Sequence, residues 1–255
     1  MATALITGAS SGIGKELARA LAARGYELIL VARRKDRLTA LASELKSAHK
    51  VGVSVYAADL SKPGATAALE KSVRKDGHSV DVLVNNAGFG TNNRVINEDR
   101  ATVADEIALN IGALVDLTIA FLPDMVTRGF GAVINIASTA SYQPVPGMAV
   151  YAATKAFVRS FTEATWGEVP KGVKVFAVSP GATATEFFDI AGANPSSALA
   201  PTSDVIDVIV AQLESASPAP STIVGGRNRI LARIAQMVPR KASIRVAGSM
   251  FLPKN

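Results

Sequence analysis

The sequence predicts a doubly wound α/β fold, a single domain in which helices cover both faces of one parallel sheet. Three observations carry this reading. Short apolar runs alternate with longer segments of helical period, most of those runs are apolar on both faces, and no linker divides the 255 residues. A strand apolar on both faces needs cover on both, which the crossover helices of a parallel sheet provide.

The elements follow in order. Thr3–Gly8, Tyr26–Arg33, Val53–Leu60, Val80–Gly88, Gly131–Ser138 and Val173–Gly181 read as strands. After Gly14, Leu17 and Leu21 with Ala18 and Ala22 form an apolar helical stripe that ends at Gly25, a residue suited to a left-handed C-terminal turn. Leu38, Leu41 and Leu45 repeat that spacing, and Ser61 before Pro63 marks a third helix start. Residues 100–128 form the longest helical stretch and 150–167 another. Ala191–Ser203, rich in Ala, Pro, Ser and Gly, reads as a mobile surface loop beside a strand end, where open α/β sheets bind ligands.

Composition narrows the chemistry. Hydrophobic residues make up 49% and charged residues 19%, enough for a large core. With no cysteine and only His49 and His78 as histidines, disulfides, thiolate sites and histidine-rich metal sites are set aside, and no metal is expected. Met1-Ala2-Thr3 leads straight into the first strand without a basic lead or cleavage site, and no unbroken apolar run has transmembrane length; the expected compartment is the cytoplasm. The net charge of +6 is local. Residues 215–255 hold seven basic residues (Arg227, Arg229, Arg233, Arg240, Lys241, Arg245, Lys254) and no acidic one, so the rest of the chain is nearly neutral. This argues against a nucleic-acid surface. The chain divides into a main domain, 1–226, and a basic, partly apolar C-terminal extension, 227–255.

The first strand ends in Thr7-Gly8-Ala9-Ser10-Ser11-Gly12-Ile13-Gly14 and opens directly into a helix. Glycines let the backbone approach an anion, and the helix N-terminus offers free N–H groups. A dinucleotide site of the NAD type commonly places an acid about 20 residues on. Here the second strand ends Ala32-Arg33-Arg34, and a guanidinium there grips a 2′-phosphate, so the pattern points to NADP(H). Asp36 is the alternative ribose ligand if the strand ends elsewhere.

Tyr151 and Lys155 lie four residues apart and share a helix face. A phenol ordinarily ionises near pH ~10, and an ammonium beside it favours the phenolate. Ser138 closes the fifth strand, and Asn110 interrupts an apolar helix, where a polar group needs a purpose. Asn85-Asn86-Ala87-Gly88 closes the fourth strand at the same carboxyl edge as the glycine loop; Asn85 reads equally as a brace between loops or as a cofactor contact.

Together these residues resemble the short, single-domain members of the short-chain dehydrogenase/reductase family over Thr3 to about Thr185. The resemblance rests on Thr7–Gly14, Asp59, Asn85–Gly88, Asn110, Ser138, Tyr151/Lys155, and Pro180-Gly181 with Thr183 and Thr185. It implies a Rossmann-like sheet of about seven strands and a catalytic tetrad of Asn110, Ser138, Tyr151 and Lys155. The implied cofactor residues are Gly8, Ser10, Ser11, Gly12, Ile13 and Gly14, then Arg33, Arg34, Asp59 and Leu60, then Asn86, Ala87 and Gly88, and finally Tyr151, Lys155, Pro180, Gly181, Thr183 and Thr185. Asp59 is implied to contact adenine, and Thr183 or Thr185 the carboxamide.

The expected activity is NADP(H)-dependent interconversion of a ketone or aldehyde with its alcohol. Its rivals are a regulatory module that senses NADP(H) without turnover and an isomerase or epimerase. Tyr142, Val145, Met148, Phe187, Phe188 and Ile190 flank the expected pocket and favour an apolar substrate. Relatives of this type assemble as dimers or tetramers, and the extension leaves the choice open. Its segment 228–238 has Ile230, Ile234, Val238, Leu231 and Ala235 on one helical face and Arg229, Arg233 and Gln236 opposite. That face packs on the body or on a dimer mate, with weak peripheral membrane contact as the alternative.

Overall fold

The computed structural model describes residues 1–193 and 199–252. Strands β1 (Thr3–Thr7), β2 (Glu27–Ala32), β3 (Val53–Ala57), β4 (Val82–Asn85), β5 (Gly131–Ile136), β6 (Val173–Ser179) and β7 (Ser221–Ile223) form one seven-stranded sheet in the order 3-2-1-4-5-6-7. Every pair is parallel. The strand order reverses between β1 and β4, and the crevice outside the carboxyl ends at such a reversal is where open α/β sheets bind ligands.

Helices α1 (Gly12–Ala22), α2 (Lys35–His49), α3 (Ala65–Lys75), α4 (Arg100–Ile107), α5 (Leu114–Arg128), α6 (Ala149–Glu168), α7 (Phe187–Ala191), α8 (Thr202–Glu214), α9 (Gly226–Met237) and α10 (Arg240–Phe251) complete the chain. On one face of the sheet, Leu17, Leu21 and Leu38 with Ile209 of α8 bury Ile6, Leu30, Ile134 and Phe176. On the other, Leu69, Leu117, Phe121 and Met125 bury Leu5, Leu83, Val133 and Val175. Alternate residues of each central strand thus enter opposite cores, as the two-faced apolar pattern requires.

Three sequence expectations change in detail. The third helix does not start at Ser61-Pro63: the Ser61 hydroxyl donates to the Asp59 carboxylate at 2.8 Å, and α3 begins after Gly64, whose φ of 76° suits glycine. The stretch 100–128 is a continuous helix with a π turn at Ala108–Ala113, and α7 and α8 enter the stretch 191–203, of which residues 194–198 lie outside those described. By length and composition the helix 100–128 could cross a membrane, but Leu114, Leu117, Phe121 and Met125 are core residues here.

Asn85 proves to be a brace. Its Nδ2 donates to Asn135 Oδ1 at 2.9 Å and Thr118 Oγ1 at 3.2 Å, while Asn135 Nδ2 donates to Thr162 Oγ1 at 2.8 Å. This chain of polar groups, buried throughout, ties β4, β5, α5 and α6 together at the edge that carries the site.

The extension folds back over the cleft. Ser243 Oγ contacts Gln143 Oε1 at 3.3 Å, and Asn92 Nδ2 donates to the Phe251 carbonyl at 2.8 Å. The face of α9 turned to the body is not the expected stripe: it centres on buried Ala232 and on Asn228, which donates to the Val224 carbonyl at 2.9 Å. Leu231, Ile234 and Val238 instead border the cleft, and Ile230 and Met237 point outward. The physical reason is that small residues allow the close approach of α9 to the Pro180–Gly181 turn, where a Cβ on Gly181 would come within 2.5 Å of Asn228 Nδ2.

Asn135→Ala leaves the Asn85 amide and the Thr162 hydroxyl without each other's bridge, and is expected to destabilise the chain by about 2–3 kcal/mol. Urea unfolding measures this, with a lowered midpoint at unchanged slope as the expected result.

Candidate active site

One large cavity, of about 850 Å³, opens along the carboxyl edge of the sheet. At one end lies the glycine loop. Gly8 and Gly12 have positive φ (67° and 53°), and the loop is pinned from behind: the Asn86 Nδ2 donates to the Thr7 carbonyl at 2.8 Å, and the Thr7 hydroxyl accepts from the N–H groups of Asn86 and Ala87 at 3.0 Å. Of the expected cradle residues, Gly8, Ser10, Ser11, Gly12 and Ile13 line the cavity. Gly14 does not. It is buried beneath the loop, where a Cβ would come within 2.5 Å of both Asn86 Nδ2 and the Gly8 carbonyl, so its role is close packing. The α1 N-cap, Ser11, makes no side-chain cap bond, so the first N–H groups of the helix are available to an anion.

Beyond the loop, Arg33, Arg34, Asp59 and Leu60 line the next stretch. Arg34 is engaged: Nη2 donates to Ser10 Oγ at 3.2 Å and Ser11 Oγ at 2.9 Å, and Nη1 pairs with Glu186 at 2.8 Å. Arg37 holds the other Glu186 oxygen at 2.5 Å, and the two guanidiniums drive that carboxyl down to about 2. Arg33 is exposed and forms no ion pair among the described residues, which leaves it the freer anion reader of the two. Burial works against the Asp59 carboxylate, but the Ser61 hydroxyl and N–H outweigh it and hold the group below its ordinary range. The sequence offers no signal for Glu186 or Arg37, which meet Arg34 only in the fold.

Of the tetrad expected from the resemblance, Ser138, Tyr151 and Lys155 line the cavity. Ser138 closes the end of β5, its Oγ accepting from the Ala140 N–H at 3.1 Å, and Tyr151 and Lys155 rise from α6 on one face. Lys155 is buried; its Nζ donates to the Ile136 carbonyl at 2.8 Å and lies 5.9 Å from the centre of the Tyr151 ring. Asn110 does not border the cavity. Its amide brackets residue 89 (Nδ2 to the Phe89 carbonyl, 2.8 Å; Oδ1 from the Phe89 N–H, 3.1 Å) and reaches Thr154 Oγ1 at 3.0 Å. It therefore clamps the 88–89 loop to α6, and a Cβ on Gly88 would stand 2.9 Å from Asn110 Oδ1 and 3.3 Å from Lys155 Nζ.

Ionisation departs from the expectation that Lys155 lowers the phenol. Burial pushes Tyr151 up to about 12, against the opposing pull of the Ser138 hydroxyl and with a further push from the Glu106 carboxylate. Burial also draws Lys155 down to about 8. Burial, which disfavours the charged form of each, is the largest influence on both groups.

The remaining cofactor residues, Ala87, Pro180, Gly181, Thr183 and Thr185 with Asn86 and Gly88, all line the cavity, as do Tyr142, Val145, Met148, Phe187, Phe188 and Ile190. The Phe187 ring packs on Tyr151 at 4.9 Å. Gly90 is a further requirement that the sequence pattern does not single out: a Cβ there would come within 2.7 Å of the Tyr151 ring.

Residues 2–195 match the family model for short chain dehydrogenases. The chain is 39% identical over 186 residues to sulfoacetaldehyde reductase 2 of Chromohalobacter salexigens, covering 72% of this chain and 73% of that protein. Among solved structures it resembles a short-chain dehydrogenase from Sphingobium yanoikuyae in complex with NADPH (36% identity, TM-score 0.83, 92% and 94% of the two chains). It also resembles the bulky-bulky ketone specific alcohol dehydrogenase of Comamonas testosteroni (34% identity, TM-score 0.79, 92% of each chain). The motif order read along the sheet, the strand order and these matches converge: the chain belongs to the short-chain dehydrogenase/reductase family of oxidoreductases.

Proposed function

We propose that this chain is an NADP(H)-dependent carbonyl reductase, running backwards as an alcohol dehydrogenase, for a predominantly apolar ketone or aldehyde. The observation that carries the reading is the position of Ser138, Tyr151 and Lys155 on the wall of one apolar cavity that also contains the anion cradle. NADP(H) fits the residues present: uncapped N–H groups at α1, a glycine loop pinned for close approach, and an exposed Arg33 that forms no ion pair among the described residues. The relative from Sphingobium yanoikuyae holds NADPH, which agrees with that choice.

When bound, the reduced nicotinamide supplies the hydride. The protein supplies the rest. Ser138 Oγ and the Tyr151 hydroxyl donate to the substrate oxygen and polarise its carbon, and Tyr151 gives its proton to the oxygen as charge develops. A phenol held up to about 12 stays protonated at neutral pH, as an acid must. Lys155 carries the positive charge that stabilises the developing phenolate, Asn110 keeps the 88–89 loop against α6, and the apolar walls exclude water.

The roof also supports the substrate class. Leu231, Ile234 and Val238 of the extension and Val246 and Met250 of α10 line the same cavity as Phe187 and Phe188, an apolar lining that suits an apolar ligand. This favours a roofing role for 227–255; assembly as a dimer or tetramer and peripheral membrane contact remain proposals for its outward residues. An NADP(H) sensor has no use for an intact proton donor, and Ser138, Tyr151 and Lys155 stand together on the cavity wall.

Three outcomes test the reading. In an assay of ketones, aldehydes and secondary alcohols, Tyr151→Phe is expected to lower turnover at least ~10²-fold while NADPH still binds, and near-normal turnover at saturating substrate would remove Tyr151 from the mechanism. Arg33→Asp should weaken NADPH by a factor worth about 1.5–3 kcal/mol with little change for NADH, measured by fluorescence titration; equal losses would show that Arg33 does not read the 2′-phosphate. Ketone reduction by the wild type should hold below pH about 8 and fall above it, because Lys155 then loses the proton that keeps it cationic, whereas alcohol oxidation should rise with pH as Tyr151 ionises.

A further inference from the structure

Helices α9 and α10 carry a surface that the scheme above does not use. Along α9 only Asn228, Ala232 and Ala235 are withdrawn from solvent, and along α10 only Ser243, Ala247, Gly248 and Phe251. The rest of both helices is exposed, large apolar residues included. Ile230, Ile234 and Met237 form one row along α9, spaced as neighbours on a helix face are. Ile230 and Met237 do not border the cavity and stand in solvent at 60% and 85% exposure, and Ile244 of α10 is likewise exposed and off the cavity. Leu231, Ile234, Val246 and Met250 are exposed and also line the cavity, so they form the rim of its mouth. Single exposed apolar residues are ordinary; a row continued over two adjoining helices around a cavity mouth marks a contact surface.

The charge on this surface is of one sign. Arg229 and Arg233, one turn apart, flank the apolar row, and Arg240, Lys241 and Arg245 continue the charge along α10. All five are exposed and form no ion pair among the described residues, and the sequence has no acidic residue from 215 to 255. By contrast, Arg19, Arg24 and Arg74 of the main domain each meet a carboxylate.

The combination selects the occupant. A second copy seated symmetrically here would bring its own five cations against these five, with no carboxylate of the extension to receive them. A nucleic acid would use the cations and leave Ile230, Ile234 and Met237 in water. An anionic lipid surface uses both: the apolar row enters the acyl boundary while the arginines and the lysine stay at the level of the headgroups.

We propose that the outer face of α9 and α10 docks the protein on an anionic lipid surface, with the mouth of the cavity turned to the bilayer. Each helix has 12 residues, a length of about 18 Å, which suits lying in the interface and is too short to cross it. An apolar substrate dissolved in the lipid then reaches the cavity past Leu231, Ile234, Val246 and Met250 without passing through water. That route rests on the carbonyl-reductase reading; the docking does not.

The test is sedimentation of the whole chain with vesicles. The wild type should pellet with vesicles of phosphatidylcholine mixed with phosphatidylserine, release at high salt, and stay in solution with phosphatidylcholine alone. Replacing Arg229→Gln and Arg233→Gln together should lower the partition about 25-fold, since each cation near such a surface is worth about fivefold. Replacing Ile230→Ser and Met237→Ser together should lower it at least about tenfold. Both variants should keep the wild-type melting temperature. Failure to pellet with the anionic vesicles overturns the proposal. So does binding that survives loss of the apolar pair, the mark of a surface that merely captures polyanions. A dimer, seen by light scattering, that dissociates in the Ile230/Met237 variant also overturns it, because a second copy then covers this face. Should no carbonyl compound be turned over, the enzymatic reading fails, and vesicle binding still decides the docking.

Discussion

The cleft is arranged around one buried cation. The Lys155 ammonium is taken out of water inside α6 and rests on the Ile136 carbonyl at 2.8 Å, the last residue of β5. A buried charge that is poorly compensated costs several kcal/mol, so everything near it is under constraint. The contact fixes the axial position of α6 on the sheet, which places Tyr151 one turn away and sets Ser138, two residues past Ile136, beside it. The Asn85–Asn135–Thr162 chain holds the same strand and helix from below, and the Asn110 amide holds the 88–89 loop from the side. In the proposed mechanism the pair Tyr151/Lys155 is thereby placed before any substrate arrives, with charge and donors set in advance.

Much of this was legible in the sequence because it is local. The glycine loop between β1 and α1, the four-residue spacing of Tyr151 and Lys155, and the two arginines at the end of β2 each depend on a short segment whose geometry follows from its own period. The parallel sheet was legible because residues such as Leu5 and Ile6 are both apolar yet face opposite cores. What the sequence does not show is pairing over distance. Glu186 meets Arg37 across 149 residues of chain, and Arg34 beside it. The contacts of Asn110 with Phe89 and Thr154 likewise appear only in the fold.

The extension shows the same limit in another form. Periodicity groups Ile230, Leu231 and Ile234 as one stripe, whereas the fold turns Leu231 and Ile234 to the cleft and Ile230 outward. Ala232 and Asn228 decide it, because only small or hydrogen-bonding groups fit against the Gly181 turn. The large apolar residues are thereby turned toward the cleft and the solvent, and a basic tail becomes a roof over an apolar cavity. Likewise a lone glutamate one turn before Asn110 is unremarkable as text; its burial, its orphaned oxygen and its two acidic and hydroxyl neighbours appear only when α4 is packed.

The central claim is that hydride passes from a nicotinamide to a carbonyl carbon while Tyr151 supplies the proton. The most direct measurement follows the hydride itself: incubate the chain and a graded series of apolar ketones with NADPH carrying deuterium at the transferable nicotinamide position, and weigh the product alcohols. The account predicts one deuterium on the carbinol carbon of at least the larger apolar members, with NADH far less effective. Bound NADPH that transfers no deuterium to any carbonyl compound would contradict it.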